Sequence, residues 1–363
     1  LIKLAGNATG IEVSSAVSRR GRLEFCIPKE FSIMQTLCRH GVLTVFVWLA
    51  GITLAAADTT APQSDSGTGL PEPLASFGAV TCDGWIYVYS GHIGTAHDHS
   101  KDNLAQAFHR RRVEGGAWES LPMETPLQGL ALVTHQGLVY RVGGMTAHNT
   151  LDQDPALFST DAFACFDPAT KQWTPLAPLP TGRSSHDAVV IDSKLYVVGG
   201  WKLSGDDSGE WQSDMLIYDF AQPELGWQSV EQPFERRALA ASHHDGKLVV
   251  IGGMNADDKI DRSVNLYDPA TSTWTSGPAL PGEGMNGFGV SAWNSGQALL
   301  VSGSSGVVYR LADDAGSWQE IAKLRTARFF HQLVPAGEGT LLVLGGASRQ
   351  GHLSEIESIT PAQ

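Results

Sequence analysis

Cysteine is scarce in this chain. Four occur in 363 residues, and only Cys82 and Cys165 lie beyond position 57. Two thiols cannot form a disulfide framework or an all-cysteine zinc site. Positive charge is also short: 25 Lys and Arg stand against 38 Asp and Glu, a net −13. That balance argues against nucleic acid and anionic membrane as partners, since both demand basic surface. The uncharged stretch Gly41–Leu54 is shorter than the ~20 residues a spanning helix needs. Familiar catalytic signatures are missing too. There is no Gly-x-Ser-x-Gly, no glycine-rich phosphate loop and no His-Glu-x-x-His.

The apolar stretch reads instead as part of an export signal. Met34 opens a short segment bearing Arg39 and His40, the apolar stretch follows, and Ala55-Ala56-Ala57 ends it. Residues 34–57 are therefore expected to be a secretory signal peptide cut after Ala57, giving a secreted or periplasmic protein. From Asp58 onward 19 basic and 35 acidic residues remain, a net −16. Residues 1–33 show no sustained period and are left unassigned. Residues 58–70 are turn formers and small polar residues, a linker, and 71–363 make one domain.

That domain repeats. A short apolar strand closed by a small-residue pair recurs six times, at Ser90-Gly91, Gly143-Gly144, Gly199-Gly200, Gly252-Gly253, Ser302-Gly303 and Gly345-Gly346. Each pair is preceded by a tight turn such as Asp83-Gly84 or Asp245-Gly246. The first five are followed by an aromatic strand and a tryptophan, as in Phe166-Asp-Pro-Ala-Thr-Lys-Gln-Trp173 and Tyr267-Asp-Pro-Ala-Thr-Ser-Thr-Trp274. A unit near ~50 residues with four strands matches a propeller blade. The sixth unit ends without a tryptophan strand. Leu70-Pro-Glu-Pro-Leu74 resembles Pro175-Leu-Ala-Pro-Leu179, so residues 62–73 are expected to close the ring. Cys82 and Cys165 fall in different blades, too far apart to bridge, and buried thiols are expected.

This combination of strand, glycine pair, aromatic and tryptophan resembles the kelch family over residues 71–363. The resemblance implies an all-β, six-bladed propeller with four antiparallel strands per blade. It implies a binding role as well, with arginines lining a pocket that recognises acidic peptides in some members. Two enzyme families share such folds. The galactose-type copper oxidases need a tyrosine–cysteine crosslink, which the two strand cysteines do not suggest. The sialic acid mutarotases carry a glutamate after a second-strand glycine. Here that region reads Gly253-Met254-Asn255-Ala256-Asp257-Asp258, without one.

Loops between second and third strands share a face with the connections between blades, and several are long. Binding residues usually sit on such loops. Counting back from the glycine pairs, Arg183, Arg236 and Arg328 begin three inner strands, with Leu74, Leu127 and Met285 elsewhere. His186 and His331 follow two of the arginines. These five are the candidate ligand-binding residues, because guanidinium groups grip carboxylates in a fork. The same arginines could instead tie neighbouring blade backbones. No metal or other cofactor is expected. His92, His97, Asp98, His99 and Asp102 cluster in one loop, and Asp206, Asp207, Glu210, Asp257, Asp258 and Asp261 in two others, without the spacing of a known metal motif. The expectation is a monomeric, exported module binding a protein or an anionic carbohydrate, with a sialate mutarotase-like or other acidic-sugar-active enzyme as the alternative.

Overall fold

A computed structural model describes residues 69–360 except 206–207, 296–297, 313–315 and 338, together with the backbone of Gln63 and Ser64. The expected upstream segment, signal peptide and most of the linker lie outside the described residues.

Six four-stranded antiparallel sheets follow one another along the chain. In the third blade the strands are Asp187–Ile191, Lys194–Val198, Asp214–Asp219 and Trp227–Glu231, in that order from inside to outside. The first, second, fourth and fifth blades repeat this pattern, and the chain is the expected six-bladed propeller. The sixth blade has three strands of its own, Gln332–Pro335, Leu341–Leu344 and Ile356–Ile359. Its fourth is the amino-terminal Gln63–Ser64, paired antiparallel with Ser358 and Glu357.

The tryptophans show why the motif recurs. Each indole N–H donates to a carbonyl of the preceding blade: Trp173 to Pro122, Trp227 to Ala177, Trp274 to Glu231 and Trp318 to Pro278, all within 3.1 Å. In the first blade Trp118 donates to Gly69 at 2.8 Å. The amino-terminal segment thus stands where a preceding blade's outer edge would be. Leu70 confirms the equivalence. Its N–H bonds Ser354 O at 2.7 Å, as Leu179 bonds Asp161 and Leu280 bonds Arg262 within their own blades.

Near the axis the glycine pairs meet the next blade. The N–H of Gly144 donates to Arg183 O, that of Gly200 to Arg236 O, and that of Gly346 to Leu74 O. A Cβ on Gly143 or Gly252 would collide with the backbone of the following blade, which is why small residues close these strands. The same bond from Gly253 reaches Gly287, so the fifth blade's equivalent position is Gly287 rather than Met285.

Two residues further on, all six blades hold a left-handed residue: Ser76, Gly129, Ser185, Ala238, Gly289 and Phe330, with φ between 52° and 62°. Their backbones form a closed circle. Gly129 N–H donates to Ser76 O, Ser185 to Gly129, Ala238 to Ser185, Gly289 to Ala238, Phe330 to Gly289 and Ser76 to Phe330, at 2.7–3.2 Å. The apolar core lies between blades, in clusters such as Phe163, Leu195, Val197 and Tyr218. Cys82 is buried and Cys165 half-buried, and both are free thiols. Burial pushes the Cys82 thiol up to about 11, which leaves it unreactive at neutral pH.

Candidate functional site

Three of the five sequence-selected residues are held inside their own blades. Arg183 is fully buried and donates to the Asp214 carboxylate at 2.5 Å, to Asp214 O at 2.8 Å and to Gln212 Oε1. Arg236 donates to Asn265 Oδ1 at 2.5 Å and Ser263 O at 3.0 Å, with the Phe234 ring 4.2 Å from its guanidinium carbon. Arg328 bonds the carbonyls of Thr326 and Gly345 and pairs with Glu355 and Glu357. None of the three lines the axial cavity. The physical reason is placement. Each lies four residues before an inner strand, beside the glycine pair, where backbone carbonyls crowd and need donors.

His186 and His331 do border the cavity but are buried in its wall. They occupy the position held by Phe77, Leu130, Leu239 and Val290 in the other blades, which makes them packing residues. Burial holds both pKa values down to about 3, so both are neutral. Beside His186, Asp187 accepts from Ala188 N at 2.8 Å and from Ala241 N of the next blade at 2.7 Å. Burial pushes its carboxyl up to about 6.

The cavity itself runs along the axis, with a volume of about 820 Å³. The hydrogen-bonded circle forms its waist, since all six of those residues line it. Above the waist the wall comes from the expected long loops: His92, His97 and His99, then Met145 and Leu157, Trp201 and Leu203, Met254 and Asp258, and His352. One position before five of the six waist residues stand Ala75, Gln128, Arg237, Phe288 and Phe329, all of which line the mouth, whereas Ser184 before Ser185 does not. The mouth is therefore uneven. Arginine and phenylalanines come from the fourth to sixth blades, glutamine from the second, and histidines from the first and sixth.

Arg237 is the residue that counting missed. Its guanidinium stacks on Trp201, 4.1 Å from the ring centroid, with Phe288 at 5.5 Å and Trp211 at 5.8 Å. Among the described residues its one side-chain hydrogen bond runs to the Met254 sulfur at 3.2 Å, a weak acceptor, and its buried Nε–H has none. Among the described residues no carboxylate forms an ion pair with it. Asp258 acts on it electrostatically, against the lowering effect of burial. A half-buried cation held flat on an indole, with donors unused, is ready for a planar anion.

The loops of the second and third blades raise one side of this mouth. The hairpins Met145–Ala147/Leu157–Ser159 and Trp201–Lys202/Glu210–Trp211 join through backbone bonds between Leu157 and Gly205 and between Ser159 and Leu203. Met145, Ala147, Leu157 and Leu203 pack beneath, with Trp201 against them. The stack that orients Arg237 is thus fixed by a small core of its own. Among the described residues no group of three or more His, Cys, Asp or Glu is arranged to hold a metal ion.

Comparison with known proteins fits this architecture. Kelch motif patterns match residues 182–225 and 235–281, the third and fourth blades. The chain carries kelch repeats. Beta-scruin of Limulus polyphemus is 28% identical over 203 residues, 55% of this chain and 21% of that protein. Kelch repeat and BTB domain-containing protein 12 of Danio rerio is 26% identical over 48% of this chain and 30% of that protein. Kelch-like protein 40 of Mus musculus is 28% identical over 62% and 36%. The chain spans between a fifth and about a third of the length of these relatives. The solved structure of YjhT superimposes with a TM-score of 0.62 at 17% identity, covering 80% of this chain and 94% of that one, a likeness of fold.

Proposed function

We propose that this chain is an exported kelch-repeat binding module whose axial mouth captures a carboxylate-bearing ligand, carried by an acidic protein segment or an acidic glycan. One observation carries the reading: among the described residues the Arg237 guanidinium stands at the mouth with no oxygen acceptor and no carboxylate ion pair, while those of Arg183, Arg236 and Arg328 each donate to oxygens of their own blades. The aromatic surroundings suit a ligand that presents apolar surface beside its charge, as a sugar face or a peptide side chain does. The export signal at residues 34–57 supports an extracytoplasmic role, and the monomeric state belongs to the same reading. Parallel arrays of acidic peptides and of uronic- and sialic-acid glycans, probed with the protein and with Arg237→Gln, test it. Binding on one array that Arg237→Gln abolishes is expected and names the source. Binding that Arg237→Gln leaves unchanged, or none on either array, would refute the anchor.

A second reading has one observation in its favour. His99 lies within electrostatic reach of Arg237, so an acid–base group stands beside an anion anchor. That is what an enzyme acting on acidic sugars would need. Catalysed interconversion of sialic or uronic acid anomers, followed by NMR, distinguishes it from simple binding.

A further inference from the structure

Three histidines from opposite ends of the domain meet at the mouth. His92 and His99 come from the first long loop, and His352 lies 260 residues beyond His92, in the last. Ring closure makes the first and sixth blades neighbours, and His92 Nδ1 and His352 Nε2 stand 3.1 Å apart. The His92 and His99 rings are 5.1 Å apart, centroid to centroid. All three line the cavity.

The hydrogen bonds fix the tautomers. The Gly94 carbonyl can only accept, so His352 donates to it from Nδ1, at 2.8 Å, and its Nε2 is bare. That nitrogen accepts from His92 Nδ1–H. His92 Nε2 is then bare as well, and it faces the Asp98 carbonyl oxygen at 3.4 Å, lone pair toward lone pair. A proton added there converts this contact into a donation and breaks no existing bond. His99 Nδ1 accepts from the Gln128 side-chain amide at 3.1 Å, which leaves its proton on Nε2.

The ionisable groups acting on these rings are the rings themselves, His97 and Asp98 from the same loop, and Arg237 from the fourth blade. Among the described residues no carboxylate forms an ion pair with any of the three rings. Burial, reinforced by neighbouring positive charge, holds His92 down to about 4, and burial lowers His99 and His352 as well. A charge on the cluster therefore has the Asp98 carboxylate nearby but no ion-pair partner, and an anion in the mouth would supply one.

We propose that His92, His99 and His352 form a proton-operated carboxylate site, in which anion binding at the mouth and proton uptake by the cluster drive each other. The inference rests on the mouth being where ligand binds, but not on Arg237 as its anchor. By linkage, whatever factor the anion gives to protonation, the proton gives to anion binding. Carboxylate affinity should rise as pH falls below 7, approaching a tenfold gain for each unit by which the anion raises the cluster's pKa once the pH passes below the free cluster's midpoint.

Histidine ring NMR titrations test this on the whole protein, with sodium formate as the probe against sodium chloride at equal ionic strength. Formate stays ionised at pH 5. The expected result is a His92/His352 midpoint higher in formate by about half a unit or more, and loss of that shift in His92→Gln or His352→Gln. Equal midpoints in the two salts on the unmodified protein overturn the proposal, whether or not the variants fold. Arg237→Gln separates the two readings. If formate still moves the histidines while array binding is indifferent to Arg237, the arginine anchor fails and this site stands. If array binding needs Arg237 and formate moves nothing, the reverse holds.

Discussion

Arg236 and Arg237 are neighbours in one two-residue strand, yet they serve opposite sides of the wall. Arg236 is buried against Asn265 and Ser263, while Arg237 lies across Trp201 at the mouth. Side chains alternate along a strand, so one step in sequence separates a structural tie from a candidate ligand anchor.

Mutation should separate them. Arg237→Gln is expected to weaken carboxylate-ligand binding by roughly tenfold to a hundredfold, the worth of a charge-assisted hydrogen bond, with little change in urea midpoint. Arg328→Met should do the opposite. It removes the buried partner of Glu357, which among the described residues keeps only its contacts with Arg325, and breaking a buried pair costs about 3–5 kcal/mol. Arg183→Met should cost less, because Asp214 keeps some solvent contact. Equal urea midpoints for Arg328→Met and the unmodified protein would contradict the structural role.

Truncation grades the seam between the first and sixth blades. Among the described residues, a chain starting at Gly69 loses only the two-residue pairing of Gln63 and Ser64 with the last strand. One starting at Ser76 also loses buried Leu70 and Leu74, the bonds from Leu70 to Ser354 and from Gly346 to Leu74, and the acceptor of Trp118. The shorter chain should be less stable by several kcal/mol, the longer one by about 1 kcal/mol. Thermal melts of the two chains that coincide would show that residues 69–75 add nothing.

Acid should destabilise the propeller above the ordinary carboxylate range, through its buried histidines. His92 is held near 4, and His186 and His331 near 3, against about 6.5 in the unfolded chain. Near pH 5 the unfolded state binds about three more protons at these sites, so their contribution is lost as pH falls below 6.5. Asp187, raised to about 6, works the other way and offsets about one proton. The balance gives a slope of roughly 2–3 kcal/mol per pH unit near pH 5. His331→Phe, which copies Phe77 at the equivalent position, should flatten that slope. Denaturant midpoints that agree at pH 7 and pH 5 would exclude this account.

One waist residue invites improvement. Ala238 holds φ 54° where Gly129 and Gly289 stand in other blades. Ala238→Gly relieves a left-handed conformation that costs an L-residue about 1–2 kcal/mol, less the ~0.5–1 kcal/mol of added chain entropy. A small rise in melting temperature is expected, and a fall would show that the alanine methyl matters more than its backbone strain.

The fold was legible because its markers are forced by packing. The glycine pairs touch the next blade's backbone, and the tryptophans bond the preceding blade, so neither can vary freely. The incomplete sixth unit even pointed to the amino-terminal strand that closes it. The candidate site was less legible. Counting from the glycine pairs found Arg236 but gave no measure of which neighbouring side chain faces the axis. The parity of the strand held that signal, since Gln128, Arg237 and Phe329 share one register. His352 escaped for another reason. It meets His92 only because the ring closes, and no local spacing encodes a contact across 260 residues.

The circle of amides at the waist works as a spindle. Each of its six N–H groups is already engaged tangentially with a neighbouring carbonyl, so the floor of the mouth offers a guest no free main-chain donor from this circle. Grip must come from the jaws above it, the loops bearing Arg237, Trp201 and the histidines. Jaws can be exchanged on a fixed spindle, and a change of guest would then require new loops without a new hub.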